Sequence, residues 1–362
     1  MRIMRFVVLA VFGFALMERM TISTLGETNP YVTSMVTIPL SRQSVARYYC
    51  NIKIEKDVFT MLLDTGSSSI WVASNFVDKD KWGDKTLLDK SRANSLSISR
   101  DHFYQAYSSD DVNGLKATVD MQFGQMLVKN VPFGLVTHGS KHIYEDSFDG
   151  IIGLSRGPLN SLNTKTVFYF MCQQHLFSQK FGFYFENEGG CFMMGKDVEA
   201  YLPPGVNYID VRGGSYWETT VDWIFIHKTG FNTKQYLAIL DTGSQLTFLP
   251  KELLSYVVTT LGIDQQFRGL RIFECARLTT MPLLTLQIQG ILLHIEPTQY
   301  SAEVIIDGSV KCYILLNGIP PGHPDRIVLG MSFLHSFHLV FDDNASKLGF
   351  VARTGKSFIT VA

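Results

Sequence analysis

The sequence predicts a mainly β protein of two similar lobes, related by a pseudo-twofold axis. The tetrapeptide Asp-Thr-Gly-Ser begins at Asp64 and again at Asp241, each time between apolar segments. FDGIIGL and RIVLGM form a second motif pair, whose glycines are Gly153 and Gly330. Both pairs are displaced by 177 residues, which indicates a duplicated structural unit rather than a chance repeat of a tripeptide.

The N-terminus predicts a signal peptide over residues 1–23. MRIMR supplies two positive charges, and FVVLAVFGFALM is an apolar run too short for a typical membrane span. An uncleaved signal anchor is the alternative. The remaining chain is divided into an N-terminal lobe over 24–205 and a C-terminal lobe over 206–362, with Pro and Gly supplied by YLPPGVNYIDVRGG at the junction. We expect the protein in the secretory pathway, either secreted or held in an acidic vacuole or vesicle.

Strand-like segments dominate both predicted lobes. VDMQFGQMLV, KFGFYFENEGGCFMM, LLTLQIQGILLHI and HLVFDDNASKLGFVA alternate or run apolar, with Gly, Asn or Asp at hairpin positions. Helices are predicted only over 159–177 and 250–262, and the second begins with Pro250 and has Glu252 in its first turn. The absence of regular strand–helix alternation disfavours a doubly wound sheet.

Composition excludes several classes of protein. Charged residues make up 18% and apolar residues 46%, which is typical of a packed globular chain. The formal net charge is −1 and no long basic run occurs, so nucleic-acid binding is not expected. The nine histidines form no His-Glu-x-x-His pattern, and we expect neither a metal site nor a cofactor. No membrane association is expected beyond the signal segment.

Five cysteines are few for a secreted protein. Cys275 and Cys312 lie 37 residues apart and flank strand-like segments, so a disulfide between them would close one loop of the C-terminal lobe. Cys50 lies in the alternating segment YYCNIKI, where a buried free thiol is expected. A bridge between Cys172 and Cys191 stays open, because sequence alone does not assign pairing.

Taken together, the motifs resemble the pepsin-like (A1-type) aspartic proteases over roughly residues 36–355. The resemblance rests on both Asp-Thr-Gly-Ser motifs, on Trp71, and on FDGIIGL, YWETTVDWI, IVLGMSFL and the closing HLVFDDNASKLGFVA. It implies two β-rich lobes, each with one catalytic aspartate at the floor of a long cleft. It also implies a monomer that binds a peptide or protein substrate in that extended cleft.

The resemblance makes Asp64 and Asp241 the catalytic pair of an aspartic endopeptidase. Peptide hydrolysis without a metal or a covalent nucleophile needs a base for the water and an acid for the carbonyl oxygen, and two carboxylates sharing one proton supply both. Two negative charges at short range are unfavourable, so the pair titrates as a unit. Gly66 and Gly243 let the backbone turn tightly and bring amide groups close to the carboxylates and the substrate.

The flanking hydroxyl residues match supporting positions of the family. Thr65 and Thr242 correspond to a pair whose hydroxyls bond across the lobe interface. Ser67 and Ser244 correspond to residues whose hydroxyls bond the outer carboxylate oxygens, and Ser244 is also expected to contact substrate. A turn hydroxyl without such a role is the alternative for each one taken alone.

The resemblance also predicts a hairpin flap that covers the cleft and excludes water. Tyr107 in AYSSDDVNG matches the flap tyrosine, and Trp71 would donate its indole N–H to the tyrosine hydroxyl. The tip reads Ser-Ser-Asp-Asp instead of the Gly-rich tip of the family. If Asp110 and Asp111 face the cleft, they favour Lys or Arg in the substrate; the alternative is that both point to solvent.

Two functions other than proteolysis are alternatives for this sequence. A catalytically silent pepsin-like protein would bind peptides or proteins without cutting them, but loss of an aspartate or of the flap would be its usual sign. GLSRG at 153–157 matches the nucleophile elbow of α/β-hydrolases, which requires a strand–turn–helix setting that this chain lacks. One further departure from the family is VTIPLSRQSVARYY, which resembles the start of a prosegment yet leads almost directly into the first predicted strands.

Overall fold

The computed structural model describes residues 35–44, 46–108, 110–159, 166–175 and 178–362, so the predicted signal peptide lies outside the described residues. Strands of the N-terminal half are β1 (Met35–Ser44), β2 (Arg47–Ile54), β3 (Asp57–Asp64), β4 (Ile70–Ala73), β5 (Ser97–Ala106), β6 (Asp111–Phe123), β7 (Met126–Gly139), β8 (Gly150–Gly153), β9 (Lys180–Phe185) and β10 (Gly189–Gly195).

The C-terminal half also consists mainly of β-strands. They are β11 (Asn207–Asp210), β12 (Glu218–Ile226), β13 (Thr229–Leu240), β14 (Thr247–Leu249), β15 (Gln265–Phe267), β16 (Leu270–Phe273), β17 (Leu284–Ile288), β18 (Ile291–Ile295), β19 (Ser301–Ile306), β20 (Ser309–Ile314), β21 (Leu316–Gly318), β22 (Ile327–Leu329), β23 (Phe337–Asp342), β24 (Lys347–Ala352) and β25 (Ser357–Val361).

The described helices are short. They are α1 (Lys79–Trp82), α2 (Lys141–Glu145), α3 (Val167–His175), α4 (Lys251–Leu261) and α5 (Met331–Leu334), with 3₁₀ turns at Lys90–Arg92, Val198–Tyr201 and Cys275–Thr279. The two predicted helices correspond to α3 and α4. Helix α4 follows Pro250 and ends at Gly262, whose φ of 61° is left-handed and whose N–H bonds the carbonyls of the last turn.

The two halves share one hydrogen-bonded framework. Parallel strands β3 and β8 place Met61 opposite Gly150, and parallel strands β13 and β22 place Ala238 opposite Ile327. Each residue of the second pairing lies 177 positions after its counterpart in the first. The antiparallel pairing of β4 with β8 repeats as β14 with β22 at the same displacement. The predicted mainly β, bilobal fold with pseudo-twofold symmetry is confirmed.

A sheet shared by both halves joins them. Its order is β11-β24-β23-β9-β10-β1-β2-β3-β8-β4-β7-β6-β5, so strands from the C-terminal half bond directly beside β9. Aromatic rings pack where the halves meet: Phe181 stacks on Phe341 with centroids 4.8 Å apart, and Trp217 lies 5.7 Å from Phe181. The Trp217 indole also donates to the Leu154 carbonyl at 2.8 Å. The halves are therefore held in a fixed relation around the cleft.

The C-terminal half carries two further sheets. An eight-stranded sheet has the order β21-β14-β22-β13-β12-β17-β18-β25, and a four-stranded sheet has the order β15-β16-β20-β19. The predicted disulfide is confirmed: Cys275 and Cys312 are bonded with Cα atoms 5.0 Å apart, because β16 pairs with β20 and places Phe273 opposite Cys312. Cys50, Cys172 and Cys191 are buried free thiols, so the alternative bridge between the last two is not formed.

Strand β1 is the segment that resembles the start of a prosegment. It pairs antiparallel with both β10 and β2, in the middle of the shared sheet. Its alternate residues Val36, Ile38 and Leu40 are buried in the core, as a period-two pattern requires. The segment is therefore an integral strand of the fold.

Candidate active site

The two Asp-Thr-Gly turns follow the central parallel-paired strands of the halves. Asp64 ends β3 and Asp241 follows β13, so each carboxyl group leaves the same edge of an equivalent strand. A Cβ on Gly66 would lie 2.5 Å from Asp241 Cγ, and a Cβ on Gly243 would lie closer still to the Asp64 carboxyl. Only glycine permits this approach, and each carboxyl group therefore lies against the turn of the opposite motif.

The two threonines bond symmetrically across the interface between the halves. Thr65 Oγ1 donates to the Leu240 carbonyl at 2.6 Å and accepts from the Thr242 N–H at 3.0 Å. Thr242 Oγ1 donates to the Leu63 carbonyl at 2.7 Å and accepts from the Thr65 N–H at 3.1 Å. Both side chains are buried, so these four bonds fix the two turns relative to each other without competition from water.

Asp64 lies in a donor-rich environment and is only 4% exposed. Its Oδ1 accepts from the Gly66 N–H at 2.8 Å, and its Oδ2 accepts from the Ser67 hydroxyl at 2.5 Å. Both donors stabilise the ionised form of the carboxyl. The expected bond from Ser67 to the outer carboxylate oxygen is thus present in the structure.

The equivalent bond from Ser244 is not present, and that expectation was wrong. Ser244 Oγ donates to the Leu246 carbonyl at 3.0 Å instead. Asp241 Oδ1 accepts from the backbone N–H groups of Gly243 and Ser244, at 2.9 and 3.1 Å. Each carboxyl therefore accepts from the backbone N–H of its own motif glycine, but only Asp64 also accepts from a serine hydroxyl.

This asymmetry separates the protonation states of the two carboxyls. Burial raises the pKa of both groups. The Asp64 charge raises the pKa of Asp241 further, whereas the Ser67 hydroxyl acts against the rise at Asp64. In a pair with one proton, the geometry favours the anion on Asp64 and the proton on Asp241.

Strands β5 and β6 form the hairpin that carries Tyr107. The Tyr107 N–H donates to the Asp110 carbonyl at 2.7 Å and closes the turn, and the Trp71 indole N–H donates to the Tyr107 hydroxyl at 2.7 Å. Trp71 is fully buried, so it is a rigid support for the tyrosine. Burial and the charge of Asp64 raise the pKa of Tyr107, which keeps its hydroxyl protonated.

The hairpin tip is attached to the segment that begins α2. Asp110 accepts from the Ser140 hydroxyl, and His142 Nδ1 lies 3.1 Å from Asp110 Oδ1. The Asp110 side chain is only 12% exposed. Asp110 therefore lines the cleft and does not point to solvent, but its carboxylate already bonds to Ser140 and His142 of the same half.

A cleft of about 530 Å³ separates the two halves above the carboxyl pair. Its apolar lining includes Leu62, Phe148 and Ile151 from the N-terminal half, and Tyr216, Ile239, Phe248 and Val328 from the C-terminal half. Sequence reasoning did not single out any of these. A usable signal existed for Phe248, which follows Trp71 by 177 residues.

Two guanidinium groups also line the same cleft, those of Arg47 and Arg326, and neither was predicted from the sequence.

Among the described residues, no cluster of three or more His, Cys, Asp or Glu side chains is arranged to hold a metal ion. No helix in the described part of the chain is long and apolar enough to cross a membrane.

Comparison with known proteins assigns the chain to a family. The model of the family described as "Eukaryotic aspartyl protease" matches residues 47–353. Pepsin A of Gallus gallus is 27% identical over 322 residues, which cover 86% of this chain and 85% of that protein. Gastricsin of Mus musculus is 27% identical over 320 residues (84% and 80%), and pepsin A of Sus scrofa is 24% identical over 321 residues (86% and 82%). The chain that carries this pair of facing carboxyl groups belongs to the eukaryotic aspartyl protease family.

Proposed function

We propose that the protein is an aspartic endopeptidase and that Asp64 and Asp241 are its catalytic residues. The observation that carries this proposal is the mutual approach of the two carboxyls, each against the glycine of the opposite motif. Two carboxyls so close, in a buried site where only Asp64 accepts from a serine hydroxyl, are suited to share a single proton. The pair lines the cleft between the two halves, where we expect an extended peptide to bind.

In this mechanism ionised Asp64 accepts a proton from a water molecule as the water oxygen attacks the peptide carbonyl carbon. Protonated Asp241 donates its proton to the carbonyl oxygen, so the tetrahedral intermediate is a neutral gem-diol. Asp64 then gives the proton to the departing nitrogen and Asp241 recovers one from a hydroxyl of the intermediate. The C–N bond breaks, a carboxylic acid and an amine form, and both aspartates return to their starting states.

The surrounding residues would act as positioning and substrate-binding groups. Thr65 and Thr242 hold the two turns in register, while Gly66, Gly243 and Ser244 lie where an extended substrate backbone passes. Tyr107 would cover the bound peptide and reduce water access to the carboxyl pair. The Trp71 N–H fixes the orientation of the tyrosine hydroxyl.

A catalytically silent peptide-binding protein is the alternative function. The retained carboxyl pair and the flap support catalysis over it. We further propose that the enzyme is monomeric and works in the secretory pathway, secreted or in an acidic vacuole or vesicle. Activity is expected at acidic to mildly acidic pH, where the buried pair retains one proton.

The test is cleavage of a library of unfolded peptides at acidic pH, read by mass spectrometry. Asp64→Asn and Asp241→Asn should each abolish cleavage while leaving the circular dichroism spectrum unchanged. Asp307→Asn is the matched control, because Asp307 is exposed in the turn between β19 and β20. Cleavage that persists in either dyad variant would refute the mechanism, and binding without cleavage by the parent chain would favour the silent alternative.

A further inference from the structure

The cleft contains two guanidinium groups in different electrostatic situations. Arg47, at the start of β2, forms an ion pair with Asp146, and the Tyr49 hydroxyl also donates to that carboxylate at 3.4 Å. The charge of Arg47 is therefore neutralised within the protein. Arg326, on the opposite wall, forms no ion pair with any Asp or Glu among the described residues.

The position of Arg326 follows from strand periodicity. Ile327 and Leu329 of β22 are buried in the core, whereas Arg326 and Val328 alternate with them and line the cleft. The Arg326 guanidinium lies over the Tyr216 ring, 5.4 Å from its centroid. This contact holds the side chain against the wall and leaves the hydrogen-bonding edge of the guanidinium available.

The distance from the carboxyl pair can be estimated along the strand. The Asp241 N–H donates to the Leu329 carbonyl at 2.9 Å, so Leu329 is level with the dyad. Arg326 precedes Leu329 by three residues, or roughly 10 Å of strand. An extended peptide has nearly the same rise, so for a substrate that lies along β22 the residue beside Arg326 is two or three positions from the scissile bond.

We propose that Arg326 is a specificity-determining residue that selects an acidic side chain, Glu or Asp, two or three residues from the scissile bond. The inference rests on the proposed peptidase function and deepens it. A partly buried cation in a mainly apolar wall attracts a carboxylate more strongly than a fully solvated one, and the planar guanidinium can donate two parallel hydrogen bonds to the carboxylate oxygens. The preference should be absent for the isosteric neutral residue Gln.

The neighbouring titratable groups leave this selectivity intact. His323 and Asp325 are on the same segment and are exposed, and the Tyr236 hydroxyl lies 3.5 Å from Asp325 Oδ2. Tyr216 packs under the guanidinium, and the dyad residue Asp241 lies on the adjoining strand segment. Protonated His323 would add positive charge on the same wall and would reinforce the preference for a carboxylate.

The experiment compares paired peptides in which Glu or Gln is scanned through each position around a cleaved bond. The parent enzyme should show a kcat/KM ratio of Glu over Gln of roughly tenfold at one position only. Arg326→Gln should reduce this ratio to about one, Arg326→Lys, which keeps the charge but loses the bidentate fork, should retain only part of it, and Arg326→Glu should favour Lys there instead. Arg268→Gln is the matched control, because Arg268 covers the Phe267 ring at 5.3 Å on an exposed turn outside the cleft.

Two further readouts separate charge recognition from a structural role of Arg326. The ratio should rise as the pH passes the ordinary pKa of a Glu side chain, about 4.3, because only the ionised form is recognised. It should also fall as salt is added. A variant that only disturbs packing would change cleavage of the Glu and Gln peptides equally, and that result would overturn the inference.

The failure of this inference is distinguishable from failure of the proposed function. If the parent enzyme cleaves the Gln peptide and Asp241→Asn does not, the peptidase function is supported whatever the kcat/KM ratio of Glu over Gln is. A ratio of one at every position in an active enzyme refutes the role of Arg326 alone. If no peptide is cleaved, calorimetric binding of the Glu and Gln peptides provides the same comparison, and equal affinities would refute the role of Arg326.

Discussion

Replacing Thr65 by the isosteric Val tests the bonds between the two halves. The substitution removes a hydroxyl that donates to the Leu240 carbonyl at 2.6 Å and accepts from the Thr242 N–H at 3.0 Å. Thr65 is fully buried, so water cannot replace either bond. Each buried polar group left without its partner costs about 1–3 kcal/mol, so the loss of two partners should lower the free energy of unfolding by about 2–6 kcal/mol.

The pseudo-twofold symmetry provides an equivalent threonine in the other half, at which the same test can be repeated. Thr242→Val removes the equivalent bonds, at 2.7 and 3.1 Å, from a side chain that is 5% exposed. The two variants should therefore lose similar stability, within about 1 kcal/mol of each other. Thr37→Val is the control, because Thr37 lies on the exposed face of β1, where such a change is worth about 0.5 kcal/mol or less.

Equilibrium unfolding in urea, followed by both tryptophan fluorescence and circular dichroism, measures these differences where the two transitions coincide. The same variants should lose peptidase activity, because the carboxyls would no longer be held at a fixed separation. A loss below about 1 kcal/mol in both variants would refute the reasoning from buried hydrogen bonds. A large loss in only one of them would refute the energetic equivalence of the two halves.

Two other predictions follow from particular bonds. Ser67→Ala removes a hydrogen-bond donor to the ionised form of Asp64, so the pKa of that carboxyl should rise and the acid limb of the pH–activity profile should move to higher pH. Ser244→Ala should leave that limb in place, because the Ser244 hydroxyl bonds a backbone carbonyl and not Asp241. Equal shifts in the two profiles would contradict the assigned asymmetry. Replacing Cys275 and Cys312 together by Ala should lower the free energy of unfolding by about 3–4 kcal/mol, from the chain entropy of a loop with a sequence separation of 37. Unchanged stability in denaturant unfolding would argue against that entropic account.

In the flap region, one contact was predicted from the sequence and another was not. The pairing of Tyr107 with Trp71 was expected from the resemblance, and the structure places their hydrogen bond at 2.7 Å. The environment of Asp110 was not predicted, because its partners Ser140 and His142 belong to a loop about 30 residues later in the chain. No local pattern carries information about which distant loop a turn will meet.

The fold class, the duplication and the family could all be inferred from the order of the residues alone. Strand and turn patterns are local, and a motif repeated at a constant displacement carries its own internal check. The disulfide between Cys275 and Cys312 was also predicted, because both cysteines flank strand-like segments of one lobe, and the structure confirms it.

Three features could be seen only in the folded chain. They are the acceptor of the Ser244 hydroxyl, the central position of β1 in the shared sheet, and the acidic partner that Arg47 has and that Arg326 lacks among the described residues. These outcomes depend on which distant segments meet. The net free-energy difference between two possible acceptors of one hydroxyl is about 1 kcal/mol, which no residue pattern encodes.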